Sequence, residues 1–510
     1  MSQRQAKKIG FFSALSICVG SIVGIGIFLK NAAVGKNVEG NGATWILTWI
    51  ISGLIALLVA VHFGKISKVE SSNEVTGISA WSQQLTTPKQ KWFHKVVAFN
   101  YGMFYLAILG ITLAFFTSEL LVAFLQEINP TISLPVWAHA LLALGFLVLF
   151  VLTNFFSYKL SGWISSMTLV LKFIPLLMAV LIGIGFANNH NIIGDNDLPL
   201  TQNGFLKPID AATALKGMML SLPSVLFAFD AFVGVGALSN RIEGGDKAVS
   251  KIIVFGMIFV TIIYTLISLA SALHFFPGGT SIVNVLKDAL PLGAARAIST
   301  FVAFFLFISA YGTSNAIIGV GVREFEHICY ERRVVLADRL QARFGTRTGG
   351  LVLNLIVSGF WALVMLIPAA IQNSDSIVDG FSNLVVIYFF VVYIALVYLF
   401  WKNAYLPEAR TTGIRTCRYS VLVWITIVAV GLALGLNLFF LLFDAIRAPE
   451  QRSAWGLYLD AGANVTNLYS LVTYLLLTPF FLGLPFLNGW LCKKWSRSPL
   501  LSAPLDQPEF

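Results

Sequence analysis

The sequence predicts an all-α membrane protein with about twelve transmembrane helices. Three observations carry that expectation. Of 510 residues, 57% are hydrophobic and 11% are charged, against roughly 25% charged in a soluble domain; so little polar surface suits a chain that faces lipid. Apolar runs of about 20 residues recur, the length a helix needs to cross a hydrocarbon core about 30 Å thick. The basic residues fall between those runs rather than within them.

On that basis the spans lie near residues 10–29, 43–62, 97–125, 134–153, 162–186, 216–239, 252–275, 298–321, 349–371, 377–401, 419–443 and 467–491. The stretch Ile298–Val322 holds no charged residue at all. With the N-terminus inside, the inner segments hold 25 Lys and Arg, the outer segments hold 8, and Lys172 alone lies within a span. Basic residues stay on the cytoplasmic side of a membrane protein, so residues 1–9 and the tail 492–510 are expected in the cytoplasm of a cell-membrane protein. The net charge of +10 and pI near 9.4 do not indicate nucleic acid, because the basic residues form no single face or arm. The first apolar run, Gly10–Leu29, lacks a small-x-small cleavage pattern. Cys18, Cys329, Cys417 and Cys492 are expected to be free thiols, and no pair has metal-ligand spacing.

The first five spans occupy residues 10–187 and the next five occupy 216–401, two blocks of similar length; residues 419–491 add two further helices. An odd number of spans per block inserts the second block upside down, which is the condition for an inverted repeat with a site at the midplane.

Three places inside the spans carry chemistry. Span 1 reads Val19-Gly20-Ser21-Ile22-Val23-Gly24-Ile25-Gly26-Ile27-Phe28, and three glycines in seven residues weaken a helix. A helix that opens there exposes backbone N–H groups able to hold a carboxylate; the alternative is close packing through Gly20-x-x-x-Gly24. Span 6 places Asp230 after Pro223 and before Gly234 and Gly236. A carboxylate in an apolar span marks a functional site by default, the alternative being a structural cap on a broken helix. Lys172 lies about ten residues into span 5, some 15 Å from its end, too deep for its side chain to reach an interface. It needs a carboxylate on another helix or a wet cavity.

Gly20-Ser21-Ile22-Val23-Gly24-Ile25-Gly26-Ile27-Phe28 resembles the first-helix signature of the amino acid–polyamine–organocation permeases, and Phe227-Ala228-Phe229-Asp230-Ala231-Phe232 resembles their sixth-helix stretch. The connector Asn240–Lys247 and the segment Gly312-Thr313-Ser314-Asn315 are similar to the family's as well. The likeness covers roughly residues 8–400. It departs at Gly64-Lys65-Ile66, where the family usually has a Glu-Leu pair, and at Ile25, where some members have serine. The resemblance implies a five-plus-five inverted repeat with two extra C-terminal helices. It further implies a substrate carboxylate on the Gly24–Gly26 backbone beside Ser21 and Ile25, and an amino group on carbonyls around Phe227, Ala228, Phe229 and Asp230. Lys172, before Pro175, would stand where sodium-coupled relatives of the fold hold an ion, and so act as the coupling residue.

The function expected from this resemblance is secondary transport of amino acids or related amines by alternating access, sodium-independent, and proton-coupled or exchanging. The alternatives are another small-solute class on the same fold, or a membrane-embedded enzyme. No phosphate-binding loop of the Gly-x4-Gly-Lys-Ser/Thr type is present, the 12-residue link Asn240–Lys251 is too short for a two-times-six-span architecture with a long central loop, and the six histidines are scattered. His190 and Asp195 match an acyltransferase spacing in a polar loop, and Asn464-Val465-Thr466 is a glycosylation sequon. Glu119 reads as an interfacial residue near the end of span 3. No catalytic residue, metal or cofactor is expected, the partners are a small molecule and the lipid bilayer but not nucleic acid, and the oligomeric state is open.

Overall fold

A computed structural model of the chain describes residues 10–67, 77–186, 208–233, 245–274, 290–403, 417–451 and 465–495, with positions 205, 242–243, 283, 286–287 and 453. Sixteen α-helices can be followed in them: α1 Phe11–Ile22, α2 Ile25–Asn37, α3 Gly42–Ile66, α4 Ile78–Gln84, α5 Lys91–Asn100, α6 Ala107–Ile128, α7 Val136–Phe156 and α8 Tyr158–Leu171, then α9 Phe173–Gly185, α10 Ala211–Phe229, α11 Gly245–Leu273, α12 Leu292–Tyr330, α13 Ala337–Gln372, α14 Ser376–Lys402, α15 Cys417–Arg447 and α16 Asn467–Trp495. Among the described residues, eleven helical stretches are long and apolar enough to cross a membrane, α5 with α6 and α8 with α9 each forming one, and there are twelve when α1 and α2, bent at 40° to each other, count as one span. The described residues hold no strand. Fold class and number of spans agree with the sequence reading.

Local chemistry sets several boundaries. The Asn41 side chain accepts from the Thr44 amide at 2.7 Å and caps α3, Ser157 caps α8, and Asp210 accepts from the Ala212 and Thr213 amides at the start of α10. Each supplies an acceptor to donors a helix start leaves unpaired. Span 3 is less regular than expected: a π-helical turn, Tyr101–Leu106, joins α5 to α6, and such turns cluster at functional sites. His190–Asp195, Asn464, the Asn240 and Arg241 end of the connector, Gly234 and Gly236 lie outside the described residues.

The most extensive packing joins α11 to α3, α12 to α6 and α13, and α10 to α2; α1 also packs on α11, α10 on α3, and α7 and α8 on α12. Two helix groups result, one of α1, α2, α3, α10 and α11, the other of α6, α7, α8, α12 and α13. Helix α14 stands between them, touching α3, α6, α10 and α13. The core is aromatic, with Trp45, Trp49, Trp81, Tyr264 and Tyr393 fully buried. Leu141, Leu181, Ile371, Val428 and Leu475 lie exposed on the outer helix faces, as lipid contact requires.

The last two helices dock through polar contacts. His62 of α3 lies 2.9 Å from both the Tyr419 hydroxyl and Thr426 Oγ1 of α15. Thr426 Oγ1 also donates to the Leu422 carbonyl at 2.9 Å, which leaves its lone pairs to His62 Nε2. Asn437 of α15 donates to the Met219 carbonyl of α10 at 2.8 Å. The four cysteines are free.

Candidate functional site

Span 1 opens where the glycines predict. The Val23 amide still donates to the Val19 carbonyl at 2.8 Å, but Val23 then turns to ψ 110° and the extended Gly24 leads into α2. The freed carbonyls of α1 find donors. The Lys172 ammonium bonds the Gly20 carbonyl and, at 3.2 Å, the Val23 carbonyl, while the Tyr264 hydroxyl donates to the Ile22 carbonyl at 3.0 Å. The first turn of α2 has no side-chain cap from its N-cap residue, and the Gly24 amide donates to the Tyr264 hydroxyl.

Span 6 tightens without a bend. Helix α10 runs through Pro223 to Phe229, and Asp230–Phe232 tightens into a 3₁₀ turn. The break of span 1 meets the end of α10. A Cβ built on Gly26 would lie 2.6 Å from Ala228 Cα and 2.7 Å from its Cβ, and the Tyr264 hydroxyl lies 3.3 Å from the Ala228 carbonyl. A Cβ on Gly24 would lie 2.9 Å from Thr313 Oγ1, the atom that also accepts from Lys172 at 3.0 Å. Lys172 thus joins α1 to α12 through two carbonyl oxygens and a hydroxyl. The carboxylate on another helix, one of the two environments the sequence left open, is not among the groups that hold this lysine.

Asp230 does not point into the break. Its carboxylate accepts from the Tyr105 hydroxyl at 2.5 Å and the Tyr393 hydroxyl at 2.8 Å. Tyr105 belongs to the π-helical turn and stacks on Tyr101; Tyr393 is on α14. Phe229 packs on Trp49 and Tyr264 rather than facing the break, and the Ser21 hydroxyl is taken by the Cys18 carbonyl at 2.9 Å. Of the residues singled out in the sequence, Gly24, Ile25, Gly26, Ala228 and Lys172 therefore gather where the break of span 1 meets the end of α10. Ser21, Phe229 and the side chain of Asp230 turn elsewhere, and the Phe227 ring faces Phe116 and Lys30.

Lys30 is the main departure. Counted among the outer-loop cations by sequence, it is fully buried inside α2 and pairs with Asp379 of α14. Ser382 Oγ at 3.0 Å and Asn383 Oδ1 at 2.9 Å complete its shell, and its ammonium lies 4.6 Å from the Phe227 ring centre. Glu119, expected at the interface, is half-buried and within electrostatic range of Lys30, Asp375 and Asp379. Tyr264, Tyr105, Tyr393 and the hydroxyl of Thr313 carry no site role in the sequence reading; nothing in an apolar run marks which hydroxyl will meet a distant carbonyl.

The chain is a bundle of apolar spans in which the break of span 1 meets the end of α10. The profile of the amino acid permease family matches residues 9–466, and the chain belongs to that family. Among similar proteins, the serine/threonine exchanger SteT of Bacillus subtilis is 21% identical over 411 residues, 78% of this chain and 84% of that one. The b(0,+)-type amino acid transporter 1 of Mus musculus is 23% identical over 385 residues, 74% of this chain and 72% of the other. With an uncharacterized protein of Mycoplasma pneumoniae the likeness, 24% over 300 residues, spans about half of each chain.

Proposed function

We propose that the protein is a sodium-independent secondary transporter of amino acids, working by alternating access as an exchanger or with proton coupling. The observation that carries the reading is the meeting of opposite helix ends at Gly26 and Ala228. The start of α2 presents partial positive charge and the end of α10 presents partial negative charge. A free amino acid carries both charges, carboxylate and ammonium, within a few bonds, so one molecule complements both ends. In this reading the carboxylate rests on the amides of Gly24, Ile25 and Gly26. The ammonium rests on the carbonyls that end α10 at Phe227, Ala228 and Phe229, continuing to Asp230.

The same reading divides the chain into inverted repeats, residues 10–187 and 216–401, with 419–491 as two added helices and both termini in the cytoplasm. Burial of Lys30 supports the orientation, since it removes one of the eight cations counted outside. Lys172 takes the coupling role because its ammonium holds the two carbonyls that flank the break. The test is a thermal-shift screen of the purified protein against the twenty amino acids, since a ligand that binds only the folded state stabilises it, followed by counterflow of labelled hits in sodium-free proteoliposomes. Stabilisation by none of them, or uptake that requires sodium, rejects the proposal.

A further inference from the structure

We propose that Lys30 and Asp379 form the outer gate of the transporter: their pairing closes the site from outside, and their separation opens it. The proposal rests on the carrier reading and on the cytoplasmic N-terminus argued above. Lys30 lies four residues beyond Gly26 on α2, one helical turn outward from the junction. Its side chain is 0% exposed and that of its partner Asp379 1% exposed.

The pair does not stand alone. Asn383 Oδ1 accepts from Lys30 at 2.9 Å and from Ser224 of α10 at 3.3 Å, while its amide donates to Asp379 at 3.3 Å. Ser382 Oγ accepts from Lys30. Phe227 and Phe116 cover the ammonium from α10 and α6. One layer therefore joins α2, α6, α10 and α14 directly outward of the approach of Gly26 to Ala228. On the inward side of that approach, Asp230 is held by Tyr105 and Tyr393. The junction is closed on both sides, and the two closures differ in chemistry.

Helix α2 also has polar contacts that stay within its own helix group. Asn31 accepts from the Trp45 indole at 2.9 Å and donates to Ser271 at 2.7 Å, and Asn37 donates to Ser221 at 3.1 Å. Those bonds stay within the helix group of α2, α3, α10 and α11. The Lys30 bonds leave it for α14. Charged groups are stable when separated only if water or a ligand replaces the partner, so an ion pair across a group boundary is a contact that water can take over once the layer opens. A purely apolar seam would gain nothing from wetting.

The experiment places a reporter in the layer. Ser224→Cys is introduced in the full-length protein, in intact cells and in inside-out vesicles. Labelling of that position by an impermeant thiol reagent is read by mass spectrometry, which separates it from Cys417 and Cys492. Asp379→Asn removes the charge while keeping the shape, and Lys30→Met serves as the second variant. Each is expected to speed labelling from outside about tenfold, with little change from inside, because removing one member of a buried pair disfavours the closed arrangement. The exchanged pair, Lys30→Asp with Asp379→Lys, is expected to slow it again. Unchanged labelling in folded Asp379→Asn and Lys30→Met, or equal acceleration from both sides, overturns the gate. So does a collapse of monodisperse protein in both single variants that the exchanged pair repairs, which makes the pair a fold determinant. Amino-acid stabilisation is measured on the same samples: its absence in the parent rejects the carrier reading, whatever the labelling shows.

Discussion

Replacing Gly26 by alanine tests the close approach on which the site depends. The new Cβ would lie 2.6 Å from Ala228 Cα and 3.3 Å from the Ala228 amide nitrogen, whereas non-bonded carbons settle at about 3.5–4.0 Å. The clash is with backbone, so no rotamer relieves it, and α2 and α10 must separate by roughly 1 Å. Overpacking of that kind costs about 1–3 kcal/mol. The separation falls on the two helix ends proposed to hold the substrate, so binding is expected to weaken by at least about tenfold, 1.4 kcal/mol. Ala228→Gly in the same chain removes the methyl group 2.7 Å away but leaves the backbone carbon at 2.6 Å, so rescue should be partial. The assay is the amino-acid-induced rise in melting temperature across a titration. Gly26→Ala with an unchanged melting temperature and an unchanged titration would refute the claim that this close approach is required.

Three further outcomes follow from the geometry. Lys172→Ala removes a charged donor from the Gly20 and Val23 carbonyls and Thr313, at about 1.5–3 kcal/mol per charge-assisted bond; if the residue couples transport, the variant still binds amino acid but its uptake loses pH dependence, and an unchanged pH profile counts against coupling. Asp230→Asn turns one of the two oxygens, each of which accepts from one tyrosine, into an NH2 donor, so either Tyr105 or Tyr393 loses its acceptor; it should cost about 1–3 kcal/mol, and the double variant with Tyr393→Phe should cost less than the sum of the two, as melting curves will show. Cysteine at the exposed Glu39 should react with an impermeant reagent from outside, while cysteine at Arg339 and the native Cys417 should not; the reverse pattern rejects a cytoplasmic N-terminus.

The twelve spans were legible because lipid solvation leaves an unmistakable length signal, and the break in span 1 was legible because glycine runs weaken helices. Lys30 was misread for a physical reason. A straight helix fills the bilayer in about 20 residues, which ended span 1 at Leu29. The actual span is two helices of 12 and 13 residues bent at 40°, and a bent path takes more residues, so Lys30 remains inside. Asp379 lay in plain view within span 10, close to its expected start, but pairing across 349 residues has no local signature. The π-helical turn that aims Tyr105 at Asp230 was equally invisible, because its apolar sequence suits an α-helix as well.

Asp230 lies at the end of α10, where the sequence marks a candidate site residue, but its carboxylate is already engaged. A buried carboxylate next to the end of α10 suggests a direct partner for a substrate ammonium. Both of its oxygens, however, already accept from tyrosines, one on the turn before α6 and one on α14. A cation reaching Asp230 would have to compete with two short hydrogen bonds, whereas the carbonyls ending α10 lie beside Gly26 and carry the helix's own partial charge. In the proposed site the Asp230 side chain would act through position, because it ties the end of α10 to the π-helical turn before α6 and to α14. A substrate ammonium bound by carbonyls alone predicts that Asp230→Asn changes stability more than it changes the ranking of amino acids in the thermal-shift screen. A selective loss of lysine and arginine binding in that variant would instead place the carboxylate in direct contact with substrate.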